Sequence, residues 1–298
     1  MIFRRYSRVV PELPEVETVR RGLHELIIGR VIRTVTSDTA KSFPNAANDI
    51  EAFMLGATVL DVRRRAKVLL IDLSTGYTLV THLKMTGQLV FVAGDVRFGA
   101  GHPNDSLVHN LPDKSTRVEL TFGDGSKLFF NDQRKFGWMK LIPTLEVPNM
   151  DFMKKVGPEP LEADFTAADF ATRFTRRAKT SIKAALLDQT VIAGVGNIYA
   201  DESLWGARIH PKRLVNTITT KDFKDLHTEL REVMNLAIAK GGSSNHTYIN
   251  AEGKKGSYMD FARVFRREGL ECPRCGTIII KFKVAGRGTH ICPDCQVL

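Results

Sequence analysis

The chain has 298 residues, 43% of them hydrophobic, and carries 43 Lys and Arg against 33 Asp and Glu, a formal net charge of +10. This length predicts two domains, or two domains and a small module, with room for a sizeable core. No run of eighteen apolar residues occurs, which excludes a membrane-spanning helix, so we expect a soluble protein without a membrane partner. The basic balance favours nucleic acid as a partner, although an ordinary basic surface would give the same count.

Cysteine is confined to one short segment of the chain. All four cysteines lie between Cys272 and Cys295, and the rest of the sequence has none. Secreted domains that depend on disulfides carry many more cysteines for their length, so we expect the cytoplasm. The first ten residues are rich in arginine but lack the apolar core of a secretion signal.

The first half of the chain predicts a helix followed by strands. The helix is predicted at Glu15–Leu26. Short apolar alternations separated by turn signals then follow, and Asp124-Gly125 marks a hairpin turn. These alternations are VIRTV, ATVLDV, KVLLIDL, YTLVTHL, QLVFV, RVELTF, KLFF and WMKLI. The pattern predicts a β-sandwich or barrel.

Beyond the strands the sequence changes character. Residues 93–114 form a polar stretch too long for a tight hairpin, which predicts a mobile surface loop. A group of prolines places a domain boundary between about Pro143 and Leu161. Helical periodicity then predicts helices at Phe165–Phe174, Ile182–Leu187, Ile198–Leu204 and Leu226–Ala239.

A glycine-containing turn, Asp188–Gly196, separates two of these helices, and Asn197 is predicted to cap the second. It is not a dinucleotide-binding loop, because Tyr199 occupies the third glycine position and no strand precedes the turn. The free amides of the helix start and the Asn197 side chain are predicted to bind a DNA phosphate, with Lys179 and Lys183 adding charge from the preceding helix. Two packed helices with a solvated basic face are the alternative.

Two C-x-x-C pairs, Cys272 with Cys275 and Cys292 with Cys295, predict one structural Zn²⁺ held by four thiolates. A pair of disulfides is the alternative. The segment between the pairs predicts a β-hairpin with Arg287 at its tip, a shape that fits a groove and a phosphate. Zinc modules also serve only to stabilise folds, so the hairpin alone leaves DNA binding open.

The stretch PELPEVETV, which begins at Pro11, resembles the mature N-terminus of bacterial formamidopyrimidine-DNA glycosylases, the MutM family. The resemblance extends to Gln296 through RRRAKVLL, HLKMTGQL, NDQRKFG, GPEPL, SIKAALLDQ, GVGNIYADE, CPRCG and AGRGTHICPDCQ. It implies a bifunctional glycosylase and abasic-site lyase that removes 8-oxoguanine and formamidopyrimidines from damaged double-stranded DNA. It also implies a monomer in the bacterial cytoplasm, associated with the nucleoid through DNA.

Pattern and resemblance together predict an α+β multidomain fold. It comprises an N-terminal β-sandwich flanked by helices, a C-terminal helical domain with a helix-two-turn-helix motif, and a zinc-finger β-hairpin. The predicted limits are an extension at 1–10, the catalytic β-sandwich at 11–145, a linker at 146–160, the helix-two-turn-helix domain at 161–262 and the zinc finger at 263–298.

The resemblance also assigns catalytic roles. Pro11 occupies the position of the proline whose amine attacks the sugar and forms an imine, which is chemically reasonable for a secondary amine. Glu12 matches the residue that shuttles protons at the sugar. Lys67 matches the lysine of β-elimination, and Arg287 matches the arginine associated with δ-elimination and phosphate contact.

Eversion of the damaged nucleotide leaves a hole in the duplex that the protein must fill. Met85, Arg134 and Phe136 match the family's apolar wedge, cytosine donor and aromatic stacker. The alternative is that Met85 and Phe136 fill the core and that Arg134 is a solvated charge. The stretch Ser243–Tyr258 matches the loop that closes over the everted base.

Two features depart from the family pattern. Ten residues precede Pro11, and an acylated proline nitrogen cannot form an imine, so we expect that Val10 reflects a GUG start codon; otherwise the extension is processed or blocks catalysis. The family's K-H-x-H pattern is replaced by KSTR at 114–117, which removes a histidine contact to DNA, and Arg117 is the candidate substitute.

Two other functions compete with this hypothesis. Endonuclease VIII, which prefers oxidised pyrimidines, shares the fold and the proline chemistry but reads PEGPE where this chain has Leu13, and it lacks the Met, Arg, Phe trio. The second alternative is a catalytically blocked paralogue that binds damaged DNA through its zinc module without cutting it.

Overall fold

A computed structural model describes residues 10–102, 104–242 and 257–298. The chain divides into two compact units, Met1–Lys154 with Ile238–Tyr258 and Lys155–Ala237 with Met259–Leu298. No helix in the described ranges is long and apolar enough to cross a membrane. Most of the predicted base-covering loop, residues 243–256, lies outside the described residues.

The first unit contains two antiparallel sheets and the helices α1 (Leu13–Ile27), α2 (Ala47–Phe53) and α3 (Asp151–Lys155). Its strands are β1 (Ile32–Ser37), β2 (Val59–Arg65), β3 (Val68–Leu73), β4 (Tyr77–His82), β5 (Gly87–Ala93), β6 (Val96–Gly101), β7 (Thr116–Phe122), β8 (Lys127–Asp132) and β9 (Trp138–Pro143). The strand orders are β1-β7-β8-β5-β6 and β2-β3-β4-β9.

One hydrophobic core joins these two sheets. Leu69 and Ile71 from the four-stranded sheet and Phe91 and Phe130 from the five-stranded sheet belong to the same buried cluster, to which α1 contributes Leu23 and other apolar residues. Side chains alternate across a strand, so each sheet can turn one apolar face inward. The predicted β-sandwich flanked by helices is therefore confirmed.

Helix α1 begins where the sequence supplies a start signal. Glu12 and Glu15 form a reciprocal capping box, in which the Glu12 N–H donates to Glu15 Oε2 at 2.9 Å. Apolar residues at helical spacing, such as Val16 and Leu23, face the core. Glu12, the residue that follows Pro11, is therefore the N-cap of α1.

All eight predicted alternations form strands, and the structure adds one that was missed. The expectation of a mobile loop over residues 93–114 is wrong for β6, which pairs with β5 as a hairpin. Two glycines in the strand obscured its alternation, and Gly101 is required because a Cβ there would lie 2.6 Å from the carbonyl oxygen of Gly87. The following turn is held by Arg97, which donates to the carbonyls of Ser106, Leu107 and His109.

The second unit is helical apart from one hairpin. Its elements are α4 (Ala167–Phe174), α5 (Ile182–Leu187), α6 (Asn197–Gly206), α7 (Thr220–Ala239), which runs on two residues into the first unit, β10 (Ile280–Val284) and β11 (Arg287–Ile291). The four predicted helices and the hairpin are confirmed. The cysteine module packs on α6 through a small core that contains Trp205, Val264 and Ile279.

Candidate functional site

Strand register brings several predicted site residues to one edge of the four-stranded sheet. Val68 at the start of β3 pairs with His82 at the end of β4, and His82 pairs with Trp138 at the start of β9. The turn before β3, the loop after β4 and the loop before β9 therefore share this edge. The predicted residues that they carry are Lys67, Met85, Arg134 and Phe136.

Met85, Arg134 and Phe136 lie together on the protein surface. The side chains of Met85 and Phe136 are 37% and 43% exposed. Arg134 joins them, because its Nη1 lies 3.1 Å from the Met85 sulfur and its Cζ lies 4.9 Å from the centre of the Phe136 ring. The core-filling alternative for Met85 and Phe136 is wrong, since an exposed apolar pair around an arginine contributes little to the core.

A neutral histidine, His82, lies at the same edge of the four-stranded sheet. Burial, together with the positive charges of Lys84 and Lys67, lowers the pKa of His82 to about 3. Its Nδ1 accepts a hydrogen bond from the Lys84 N–H at 3.1 Å, which fixes the start of the loop that carries Met85. The ring thus acts as an uncharged support beside two lysines.

Pro11 and Glu12 lie at the start of α1, and both are buried. Glu12 is 3% exposed and Glu15 is 2% exposed. Gly242 is the last described residue before the predicted base-covering loop. It lies close to Glu15, because a Cβ on Gly242 would lie 3.2 Å from Glu15 Cγ. Gly242 thus lies next to the residue that forms the capping box with Glu12.

Arg117 does not replace the missing family histidine on the surface. Its guanidinium is buried, donates through Nε to the backbone oxygen of Asp132 at 2.8 Å, and pairs with Asp38. Ser115, at the usual histidine position, is also buried and donates to Asp113. The suggestion that Arg117 contacts DNA is therefore wrong, because the side chain is 5% exposed and each of its three nitrogens already donates to a protein acceptor.

In the second unit, the glycine turn is organised by Gln189. Its side-chain amide donates to the carbonyl of Val195 at 2.8 Å and accepts from the Gly194 N–H at 3.0 Å. Gly194 has a φ of +78°, which only glycine adopts without strain. The structure makes Gly196 the cap of α6, so the expected capping role of Asn197 is wrong.

Asn197 is instead the first residue of α6, and its Nδ2 donates to the carbonyl of Gly288 on the hairpin at 3.0 Å. The helix start and the hairpin are therefore in direct contact. The start of α6, with the positive end of its helix dipole, therefore lies beside β11.

The structure separates the two lysines that were expected to share a face. Lys179 is exposed in the turn before α5, whereas Lys183 within α5 is 0% exposed. Lys183 Nζ donates to Asp201 Oδ1 at 2.6 Å, to Thr289 Oγ1 at 2.8 Å and to the Gly288 carbonyl at 3.0 Å. The predicted phosphate contact of Lys183 is thus contradicted, because the ammonium is inaccessible and fully engaged.

Arg287 lies next to the hairpin tip and is exposed. The turn itself is Ala285-Gly286, with φ values of +47° and +76°, and Arg287 opens β11 opposite Val284. The turn is therefore two residues long, and Arg287 is the first residue after it. This tight turn holds the arginine at the end of a rigid ribbon.

The four cysteines form a candidate metal centre. Their sulfur atoms all lie within 4.8 Å of one another, with separations of 3.4 Å for Cys275 and Cys292 and 4.0 Å for Cys272 and Cys295. A tetrahedral zinc with bonds of about 2.3 Å requires sulfurs roughly 3.8 Å apart, so the set fits this ion. All four are free, and the disulfide alternative fails because an S–S bond is about 2.0 Å long.

Comparison with known proteins covers nearly the whole chain. Residues 10–139 match the formamidopyrimidine-DNA glycosylase N-terminal domain, 156–248 the formamidopyrimidine-DNA glycosylase H2TH domain, and 269–297 a zinc finger found in FPG and IleRS. The formamidopyrimidine-DNA glycosylase of Pediococcus pentosaceus is 42% identical over 289 residues, which cover 97% of this chain and 100% of that protein.

Solved structures give the same result. A point mutant of the Lactococcus lactis FPG, in complex with a Fapy-dG containing DNA, has a TM-score of 0.84 and 36% identity, covering 97% of this chain and 100% of that one. A structure of MutM in complex with carbocyclic 8-oxo-G containing DNA has a TM-score of 0.83 and 35% identity, with the same coverage.

Proposed function

The chain belongs to the formamidopyrimidine-DNA glycosylase family, and we propose that it removes oxidised purines from duplex DNA through a covalent imine on the nitrogen of Pro11. It is a DNA glycosylase of base excision repair with the lyase activity of that family. One observation carries the proposal: the matched segments run through the chain in order, and the first begins one residue before Pro11.

The chemistry follows from a secondary amine beside a carboxyl group. The Pro11 nitrogen bonds to C1′ of the sugar while the bond from C1′ to the base breaks, and the base leaves with a proton. Glu12 supplies and accepts protons at the sugar. The C1′–O4′ bond then breaks as O4′ takes a proton, which opens the sugar ring and gives the iminium. The iminium draws electrons, so C2′ loses a proton and the 3′ phosphate departs with the electron pair of its C3′–O bond. Lys67 assists this β-elimination, and Arg287 assists the δ-elimination that releases the 5′ phosphate.

The nucleophile must be an amine and not an amide. In the 298-residue chain the Pro11 nitrogen is bonded to the carbonyl of Val10, and an amide nitrogen has no available lone pair. We therefore place the start of the active polypeptide at Pro11. Mass analysis of the N-terminus of the natively expressed protein tests this, and retention of the first ten residues in a cleaving enzyme would refute it.

DNA is held by separate groups in the two units. Met85, Arg134 and Phe136 enter the space left by the everted base, where the planar donors of Arg134 face cytosine. Lys179, Asn197 and Arg287 bind backbone phosphates. Lys183 supports Arg287 from inside the protein. The four cysteines hold one zinc ion, which is structural and stabilises the hairpin.

Borohydride trapping tests the reaction. The polypeptide that begins at Pro11 should give a covalent adduct with a duplex carrying 8-oxoguanine opposite cytosine, after reduction of the imine. Pro11→Gly should weaken trapping strongly, whereas Pro14→Ala, the matched control, keeps the Pro11 nitrogen and should trap like the wild type. Retarded mobility without an adduct would favour the blocked DNA-binding paralogue.

The endonuclease VIII alternative is tested with the same assay. Duplexes that carry an oxidised pyrimidine compete with the 8-oxoguanine duplex, and preferential cleavage of the pyrimidine would overturn the assignment to oxidised purines. Leu13 and the trio of Met85, Arg134 and Phe136 argue for purines.

The oligomeric state, the cellular location and the domain limits remain proposals. We retain a monomeric enzyme that acts on chromosomal DNA in the bacterial cytoplasm, and the domain limits 11–145, 161–262 and 263–298. Light scattering of the purified protein measures the oligomeric state, and a dimer would refute the first of these.

A further inference from the structure

A buried carboxylate ties together the two loops that carry the three exposed residues at the sheet edge. The Met85 loop comprises residues 83–86, between β4 and β5, and the Arg134 loop comprises residues 133–137, between β8 and β9. Asp132 is the last residue of β8 and is 0% exposed. The sequence motif NDQRKFG contains it, but no function was predicted for it.

The Asp132 carboxylate accepts hydrogen bonds from four donors. Oδ1 accepts from the Thr86 hydroxyl and from the Arg134 N–H at 3.1 Å. Oδ2 accepts from the N–H groups of Phe136 at 2.8 Å and Gly137 at 2.6 Å. A carboxylate offers about four acceptor positions, so these donors saturate it.

Thr86 makes this a link between loops rather than a cap on one of them. Its hydroxyl donates to Asp132 and accepts from the Arg134 N–H at 3.0 Å. The residue after Met85 is thus bound to the backbone of Arg134. The three exposed side chains touch one another only by weak contacts. The backbone N–H groups of Arg134 and Phe136 and the hydroxyl of Thr86, by contrast, donate charge-assisted hydrogen bonds to the carboxylate.

The surroundings hold Asp132 in place. The Arg117 side chain donates to its backbone carbonyl at 2.8 Å. Gly137 must lack a side chain for its N–H to reach the carboxylate, because a Cβ there would lie 2.6 Å from the Phe130 ring and 3.1 Å from Asp132 Oδ2. Lys135 adopts a left-handed φ of +55° between the two anchored amides.

Burial of the Asp132 carboxylate costs free energy of folding. Among the described residues, no cation forms an ion pair with the Asp132 carboxylate, so a buried negative charge is compensated by neutral donors only. Desolvation of an ion is expensive, and an apolar side chain would fill the same space more cheaply. What the charge adds is a fixed geometry between the two loops, because its four donors come from both of them.

We propose that Asp132 is a positioning residue which holds Met85, Arg134 and Phe136 as one rigid probe, and that this rigidity sets the discrimination between cytosine and adenine opposite the lesion. The inference rests on the proposed function, in which these residues occupy the vacated space. Arg134 can distinguish the acceptor edge of cytosine from adenine only if its guanidinium is held at one distance and angle.

The test compares three variants. Asp132→Asn places an NH₂ group against at least one pair of N–H or O–H donors and so breaks about two of the four bonds. Thr86→Val keeps the side-chain shape but removes the link between loops. Asp72→Asn is the matched control, because it removes a carboxylate on β3, at the end of the four-stranded sheet away from the two loops, where Asp72 accepts from Arg63 and Thr78.

The single-turnover rate of 8-oxoguanine excision is measured opposite cytosine and opposite adenine. In parallel, borohydride trapping is measured on a single-stranded abasic oligonucleotide. The abasic strand needs no eversion and has no partner base. We expect Asp132→Asn to lose roughly ten- to a hundredfold in the rate opposite cytosine. The cytosine-to-adenine ratio should fall towards one while single-strand trapping stays at the wild-type level. Thr86→Val should lower the ratio several-fold, and Asp72→Asn should leave it unchanged.

A wild-type ratio in a folded Asp132→Asn variant would overturn the inference and leave the proposed function intact. If that variant does not fold, Thr86→Val decides, and an unchanged ratio in it overturns the inference equally. Absence of trapping by the wild-type polypeptide that begins at Pro11, on the single-stranded abasic oligonucleotide, would refute the proposed function, and the inference with it.

Discussion

Replacement of Lys183 by methionine tests whether a buried ion pair holds the hairpin to α6. The change keeps an unbranched chain of similar length but removes the ammonium, which donates to Asp201, Thr289 and the Gly288 carbonyl. Removal of one partner from a buried pair typically costs about 3–5 kcal/mol. Asp201 retains the backbone N–H of His290 at 3.0 Å, so we expect a loss near the lower limit, about 3 kcal/mol.

Urea unfolding of the zinc-loaded protein, followed by circular dichroism, measures this loss. Lys179→Met removes an exposed lysine close by and should leave the unfolding midpoint nearly unchanged. The double variant Lys183→Met with Asp201→Leu should recover part of the stability, because no uncompensated charge remains. A loss below about 1 kcal/mol in Lys183→Met would refute the description of this pair as buried and fully engaged.

Three further predictions concern metal, pH and salt. Cys292→Ser should release zinc, measurable by mass spectrometry, and abolish DNA binding in a gel shift, and tight binding by the metal-free variant would contradict the role of the hairpin. The pKa of His82 is lowered from 6.5 to about 3, so between these pH values the unfolded chain binds a proton that the folded protein does not. The free energy of unfolding is therefore unaffected by His82 above about pH 6.5 and falls by up to about 1.4 kcal/mol per pH unit as the pH drops towards 3. His82→Leu should lack this loss of stability at acidic pH, and equal pH profiles of the free energy of unfolding for the two proteins would refute the prediction. The affinity for duplex DNA should fall steeply between low and moderate salt, and a flat response would argue against phosphate contacts.

The strands and helices could be predicted because local signals specify them. The eight alternations, the turn at Asp124-Gly125 and the helix at Ile182–Leu187 all correspond to observed elements. Strand β6 was missed because its glycines remove the apolar side chains that reveal a period of two. Its pairing depends on β5, a contact that no local pattern reports.

The site could be predicted in its residue types and only partly in its contacts. The thiolate spacing of the two C-x-x-C pairs was sufficient to indicate a zinc centre, whose sulfurs converge as expected. Exposure was not predictable in the same way. Lys183 and Arg117 were expected on the surface as charges, but both are buried against carboxylates that lie far away in the sequence.

The sequence by itself determined the family, the order of the elements and the chemical groups available, because these depend on residue identity and on spacing along the chain. The tertiary structure alone decided which charges face solvent, and it alone showed that Asp132 links two loops and that Lys183 supports the hairpin. The physical reason is that burial and hydrogen-bond partnership are properties of neighbours in space. A lysine on a helix has the same local sequence signal whether it meets water or an aspartate brought from another element.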